Sequence, residues 1–216
     1  IDNRTNKILY NKDANKRLFP ASTTKIVTAI IVLENHSLNE EVTASYDAVM
    51  TIPSGYSTAN IQIGEVLTVE QLLELLLVHS ANDSANVLAE YAGGSIDSFV
   101  SMMNTKVNEL GLTDTHFTNP YGLQENNHYT TSHDLAVIMQ YCLKNETFRK
   151  ISGQASCAIP ATNKSEPRKY SSTNELLIAG NRNYYPYLIA GKTGYTSKAG
   201  GCLVSVAVSY THLTLP

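Results

Sequence analysis

A serine and a lysine three residues apart, in Ser22-Thr23-Thr24-Lys25, open an apolar run from Ile26 to Leu33. On a helix that spacing puts both side chains on one face. The lysine amine can then take the serine proton and turn the hydroxyl into a nucleophile without any histidine. A lysine is protonated near about pKa 10.4 in water, so the role demands desolvation or a neighbouring positive charge. Lys192 is the candidate for that charge. Two further strings, Ser80-Ala81-Asn82 and Lys192-Thr193-Gly194, bring a second hydroxyl, a carboxamide and a second amine. Each string alone is weak. Ser-x-Asn recurs at Ser37, Ser84 and Ser172, and Lys198-Ala199-Gly200 repeats Lys-x-Gly, whereas Ser22-x-x-Lys25 occurs once. The bland reading of Ser22 is a helix N-cap. Taken in order and setting, the three strings point to serine acyl transfer, and that reading requires them to converge through folding.

The elements that must position them read as follows. Ile1 to Tyr10 looks like the middle of a β-hairpin, and Ile26 to Leu33 like a buried helix with Ser22 at its N-terminus. Ser45 to Gly64, rich in Ser, Thr, Gly and Tyr and marked by Pro53 and Gly55, reads as a surface loop near the site. Thr68-Val69-Glu70-Gln71 is a capping box for a Leu-rich helix running to His79. Further helices start near Asp83, at Ser95 and at Thr131, the first ending at Gly93-Gly94 and the second at Gly111. From about Ile151 the pattern turns to short strands, ending in Leu188 to Lys192 and the alternating run Cys202 to Ser209. A hairpin first, helices in the middle and strands last suggest a mixed sheet whose first and last strands pair, beside a helical lobe.

With 216 residues, 43% of them hydrophobic, the chain has room for one sizeable core and not for several domains. A net charge of −3 without a polybasic run gives no footprint for nucleic acid. No apolar run approaches the roughly 18 residues of a spanning helix. The chain lacks an initiator Met, so any export signal is expected to lie outside it. Cys142, Cys157 and Cys202 are odd in number and lack metal or redox spacing, which favours buried free thiols.

The segments Phe19 to Lys25, His79 to Ala85 and Gly191 to Gly200 closely resemble the D-alanyl-D-alanine carboxypeptidases, the low-molecular-mass penicillin-binding proteins. Asn119-Pro120-Tyr121-Gly122-Leu123, His128, Thr131, Asp134-Leu135-Ala136 and Thr173 to Leu177 look like the same family's linking stretches. The resemblance implies an α+β fold of the β-lactamase and penicillin-binding-protein type, an antiparallel sheet flanked by helices beside an all-helical lobe, with the site in the cleft between. It implies Ser22 as nucleophile, Lys25 as base and Ser80 as the proton relay to the leaving amine. Asn82 would hold the substrate amide and the Lys25 amine. Lys192 and Thr193 would bind the terminal carboxylate, Gly194 would leave room for the substrate backbone, and the backbone amides of Ser22 and Tyr195 would form the oxyanion hole. The implied partners are peptidoglycan pentapeptide stems, with β-lactams as covalent inhibitors, outside the cytoplasmic membrane. No cofactor or metal is implied, and peripheral membrane association of the full-length protein is left open.

Residues alone barely separate Ser80 from Ser84-Ala85-Asn86 one turn on, and the resemblance favours Ser80. Gly191-Lys192-Thr193 also suggests a phosphate loop, but the upstream glycine position holds Pro186 and no helix follows. His128, His133 and Asp134 are a weak metal signal without a third convergent ligand. Glu125 and Glu166 invite the deacylating role of a class A β-lactamase, yet the Glu-x-x-Leu-Asn string of that family is absent. A β-lactamase is therefore the alternative activity, and an inert penicillin-binding scaffold the alternative class. Thr173 stands where many family members carry an arginine. The likeness covers residues 1–208 as an incomplete catalytic domain, truncated at both ends, and 209–216 read as a non-family tail.

Overall fold

The protein is described here by a computed structural model covering residues 1–208. A helical lobe is built around α1 (Lys25–Asn35), whose residues Lys25 to Val32 are all buried. A helix buried on every side must be surrounded, and α1 packs against α4 (Asn82–Gly93), α5 (Ile96–Glu109), α6 (Ser132–Cys142) and α7 (Glu146–Ser152). The expected caps are present: Ser95 accepts from the Ser98 amide and Thr131 from the Asp134 amide. Asn145 caps α7 in the same way, a helix the sequence reading passed over.

Among the described residues the strands form three separate two-stranded antiparallel sheets: β1 (Glu41–Thr43) with β2 (Val66–Thr68), β3 (Ser156–Ile159) with β4 (Arg168–Ser171), and β5 (Leu188–Thr196) with β6 (Gly200–Ala207). This is an α+β architecture. In the last sheet Lys192 stands opposite Val204 and Gly194 opposite Cys202.

The capping box is complete, with Thr68 Oγ1 accepting from Gln71 N and Gln71 Oε1 from Thr68 N. It starts α3 (Val69–Glu74), which passes into a π-helical turn, Leu75–His79, and ends at Ser80 in the left-handed region, φ 66°. A π turn shifts the register of everything after it, and such turns gather at functional sites. Here it delivers Ser80.

Three expectations are corrected. Ile1 to Tyr10 is not a hairpin: the Asp2 carboxylate accepts from the Arg4 and Thr5 amides and Asp2 N–H donates to Lys7 O. This local turn competes with any ladder. The first and last strands therefore do not pair, and β6 has β5 as its partner among the described residues. Ser45 to Gly64 is not all loop, because Ser45 caps a short helix, α2 (Tyr46–Met50). The expected tail, 209–216, lies outside the described residues. Cys142 and Cys157 are buried free thiols, whereas Cys202 is half-buried.

Candidate active site

Ser22 lies inside a 3-10 turn, Ala21–Thr24, that leads into α1, and no side chain caps that turn. It is therefore not an N-cap. Ala21 sits at φ 48°, and Thr23 Oγ1 donates to Pro20 O at 2.7 Å, fixing the turn from below. Strain of this kind persists only where the surroundings enforce it. The turn leaves Ser22 partly exposed between buried neighbours.

Lys25, at 0% exposure, directs Nζ at three oxygens: Ser22 Oγ at 2.8 Å, Asn82 Oδ1 at 2.6 Å and Tyr121 O at 3.0 Å. Two of these can only accept. A neutral amine has two hydrogens and one lone pair, so the carbonyls of Asn82 and Tyr121 take the hydrogens and the lone pair is left facing the Ser22 hydroxyl. Burial holds the Lys25 amine well below its ordinary value, the Lys192 charge pushes it the same way, and Asp83 opposes them.

Lys192, at 1% exposure, donates from Nζ to Ser80 Oγ at 2.8 Å and to Thr193 O at 2.9 Å. Burial brings its amine down to about 7. The three strings thus meet: the 3-10 turn carries Ser22, the first residue of α1 is Lys25, the start of α4 carries Asn82, the end of the π turn carries Ser80, and β5 carries Lys192. Ser84 is elsewhere. It is fully buried and donates to Leu72 O at 2.5 Å, inside the helical lobe.

Thr193 faces outward from β5, where its hydroxyl lies 2.6 Å from that of Thr173. Gly194 has a different reason from the one expected. A Cβ there would stand 2.8 Å from Ser22 N, 3.1 Å from Ala21 Cβ and 3.1 Å from Thr23 N. It is the approach of β5 to the Ser22 turn that requires glycine. The approach also sets the Ser22 amide beside the strand just before Tyr195, whose side chain is 75% exposed.

Four supports of the site were given no such role in the sequence reading. Asn119 Oδ1 accepts from the amides of Gly122 and Leu123, and its Nδ2 donates to Leu123 O. That closed loop aims the Tyr121 carbonyl at Lys25. Thr28 Oγ1 donates to Pro120 O at 2.6 Å and ties the loop to α1. His128 Nδ1 accepts from Thr118 N, so Nε2 carries the hydrogen and donates to Thr24 Oγ1 at 2.9 Å. Both ring nitrogens are thereby engaged, and burial lowers the ring to about 3. Finally, Asn82 N donates to Ser57 O, and the Asp83 carboxylate accepts from Ala59 N and Ile61 N. The Asn-Pro-Tyr-Gly-Leu string and His128 were visible beforehand only as stretches resembling the family, and nothing local signalled Thr28 or the Asp83 contacts.

Glu125 approaches the Asn119 amide at 3.4 Å, and Glu166 lies in the β3–β4 loop, whose Lys164 and Ser165 bond Gln62.

Comparison with known proteins places this arrangement. The chain is 37% identical over 213 residues to the D-alanyl-D-alanine carboxypeptidase DacF of Bacillus subtilis, covering 96% of this chain and 52% of that protein. It is 36% identical to DacB2 of Mycobacterium tuberculosis, of the same description, covering 93% and 66% respectively. The chain thus spans about half to two thirds of the length of these relatives. Among solved structures, the D-alanyl-D-alanine carboxypeptidase of Mycobacterium tuberculosis superposes with a TM-score of 0.86 at 33% identity, covering 97% of this chain and 76% of that one. A DD-transpeptidase of Streptomyces gives 0.88 at 32% identity, over 97% and 83%. The fold is therefore that of the penicillin-binding DD-peptidases. The family model described as D-alanyl-D-alanine carboxypeptidase matches residues 1–213, and the chain belongs to that family.

Proposed function

We propose that this chain is the acyl-transferring unit of a serine D-alanyl-D-alanine carboxypeptidase acting on peptidoglycan stem peptides. The observation that carries the reading is the set of three contacts at Lys25 Nζ, which leaves a buried amine's lone pair aimed at Ser22 Oγ.

Lys25 takes the Ser22 proton as Oγ attacks the carbonyl of the penultimate D-Ala. Charge building on the carbonyl oxygen is met by the amides of Ser22 and Tyr195. When the C–N bond breaks, Ser80 passes its proton to the leaving amine and is reprotonated from the Lys25 ammonium, which returns Lys25 to the neutral amine. Water then attacks the acyl-enzyme, Lys25 accepts its proton, and Ser22 leaves as the hydroxyl. Lys192 is sealed behind Ser80, so its part is to orient Ser80 and supply field, while the half-buried Thr193 hydroxyl meets the terminal carboxylate. Asn82 holds Lys25 with its carbonyl and has its amide group for the substrate.

The substrate places this work outside the cytoplasmic membrane. No helix among the described residues is long and apolar enough to cross a membrane. β-Lactams, which offer a strained amide and a carboxylate, fit the same site as covalent inhibitors.

The test is acylation by a fluorescent penicillin with intact-mass mapping, beside release of D-Ala from a D-Ala-D-Ala peptide. The expected adduct is on Ser22 and absent in Ser22→Ala. An adduct on Ser80 would sink the nucleophile assignment. Penicillin hydrolysis outpacing D-Ala release would move the reading to a β-lactamase, and labelling without turnover to an inert scaffold.

A further inference from the structure

Thr173 is exposed at the rim of the cleft, yet its backbone is fixed on both sides. Its N–H donates to Val78 O at 3.1 Å, in the π turn that ends at Ser80. The next residue, Asn174, is buried and presses its side-chain nitrogen to within 2.7 Å of where a Cβ on Gly191 would stand, against β5. An exposed polar side chain is thereby held in fixed register with both Ser80 and Thr193. Its hydroxyl lies 2.6 Å from Thr193 Oγ1.

Two hydroxyls in contact share one hydrogen bond and leave one proton over. If Thr193 donates to Thr173, no proton faces the cleft from Thr193. If Thr173 donates, the Thr193 proton is free for an anion. The second arrangement forms a chain, Thr173 O–H to Thr193 Oγ1 and Thr193 O–H to a carboxylate, in which each bond polarises the next. Both lysine side chains near this cleft are enclosed, Lys25 at 0% and Lys192 at 1% exposure, so oriented hydroxyls matter to an arriving anion.

We propose that Thr173 is a positioning residue that turns the Thr193 proton toward the anionic C-terminus of a bound peptide, setting the preference for a free carboxylate. This deepens the acyl-transfer reading and rests on it for the identity of the peptide. Thr173 itself takes no part in bond making.

The test is equilibrium binding in the Ser22→Ala protein, which needs no turnover. The probes are diacetyl-L-lysyl-D-alanyl-D-alanine and its C-terminal amide, measured with and without Thr173→Val. Thr173→Val keeps the shape and removes the hydroxyl. The expected result is roughly a fivefold loss of affinity for the free acid, from the weakened charged hydrogen bond, with the amide unchanged and Thr173→Ser restoring the acid. Equal losses for acid and amide, or none for either, would overturn the proposal. So would Thr173→Val unfolding while Thr173→Ser, with its hydroxyl in place, fails to keep the acid preference. In the active protein the same change should raise KM with kcat nearly constant. Binding of the acid by a wild-type chain that releases no D-Ala would strike the carboxypeptidase reading and leave Thr173's role standing.

Discussion

Gly122 faces the Ala21 peptide so closely that a Cβ added to it would stand 1.9 Å from the Ala21 carbonyl oxygen and 3.0 Å from Ser22 N. Its φ of +91° excludes most side chains independently of space. The loop that presents the Tyr121 carbonyl to Lys25 is thus seated directly on the nucleophile's turn. Gly122→Ala is expected to cost about 2–3 kcal/mol or more, read from urea midpoints, and to lower penicillin acylation at temperatures where the protein remains folded. Unchanged acylation would mean that the turn and the loop move independently.

The pH dependence of acylation follows from which lysine must be neutral. Acylation needs the free amine of Lys25, so its rate should rise with pH through the lowered Lys25 value and level off above it. Lys192 carries its charge below about 7, and that charge helps keep Lys25 neutral. Lys192→Met removes the charge, so the rising limb should move to higher pH while the plateau also falls through loss of the Ser80 contact. A limb that stayed in place or moved down would contradict this coupling.

Stability carries the same signature with a definite sign. The folded-state value of Lys192 is depressed to about 7, so between about pH 7 and its ordinary value the unfolded chain binds more protons than the folded one. Stability therefore rises with pH across that window, and the cost of burying a charged amine is fully present below it. Buried Cys157, pushed up to about 12, acts oppositely above its ordinary value of 9.0. Thermal midpoints between pH 7 and 9 should accordingly rise less steeply in Lys192→Met than in the wild type. Equal slopes would show that Lys192 keeps its proton in the folded state throughout that window, as a hydrated amine would.

What could be read in advance was what local spacing encodes. Ser22 and Lys25 lie one helical turn apart, and Thr68 with Gln71, Ser95 and Thr131 mark helix starts by side-chain chemistry that needs no tertiary context. The convergence of Ser80 and Lys192 on that pair came from family resemblance, since nothing local separates Ser80 from Ser84. The Tyr121 carbonyl was invisible because a backbone acceptor leaves no trace in residue type. Gly194 was expected to leave room for substrate and Gly122 was seen only as part of a family-like string, although both glycines lie where a backbone closely approaches the Ser22 turn. The opening segment misled because Ile8, Leu9 and Tyr10 look like strand, while the Asp2 carboxylate captures the preceding backbone in a turn. Asn145 was a legible cap that went unused.

The last prediction concerns a buried ion pair that braces the site from behind. Glu65 is fully buried and accepts from Arg168 Nη2, from Thr162 Oγ1 at 2.8 Å and from Gln62 N at 2.9 Å. Arg168 Nη1 also donates to Ala59 O at 3.2 Å, and Ala59 N donates to the carboxylate of Asp83, the neighbour of Asn82. A path of contacts therefore runs from Glu65 to the residue that holds Lys25. Removing one partner of a buried pair leaves an uncompensated charge, at a cost of about 3–5 kcal/mol, whereas removing both often costs far less. Glu65→Gln and Arg168→Met should each lower the urea midpoint strongly, and the double variant should lose less than the two losses combined. The single variants should also slow acylation of Ser22 at temperatures where they remain folded, because Ala59 and Asp83 lose their brace. Additive losses in the double variant would show that the two charges are stabilised separately, and undiminished acylation in both single variants would show that the path ends before Asn82.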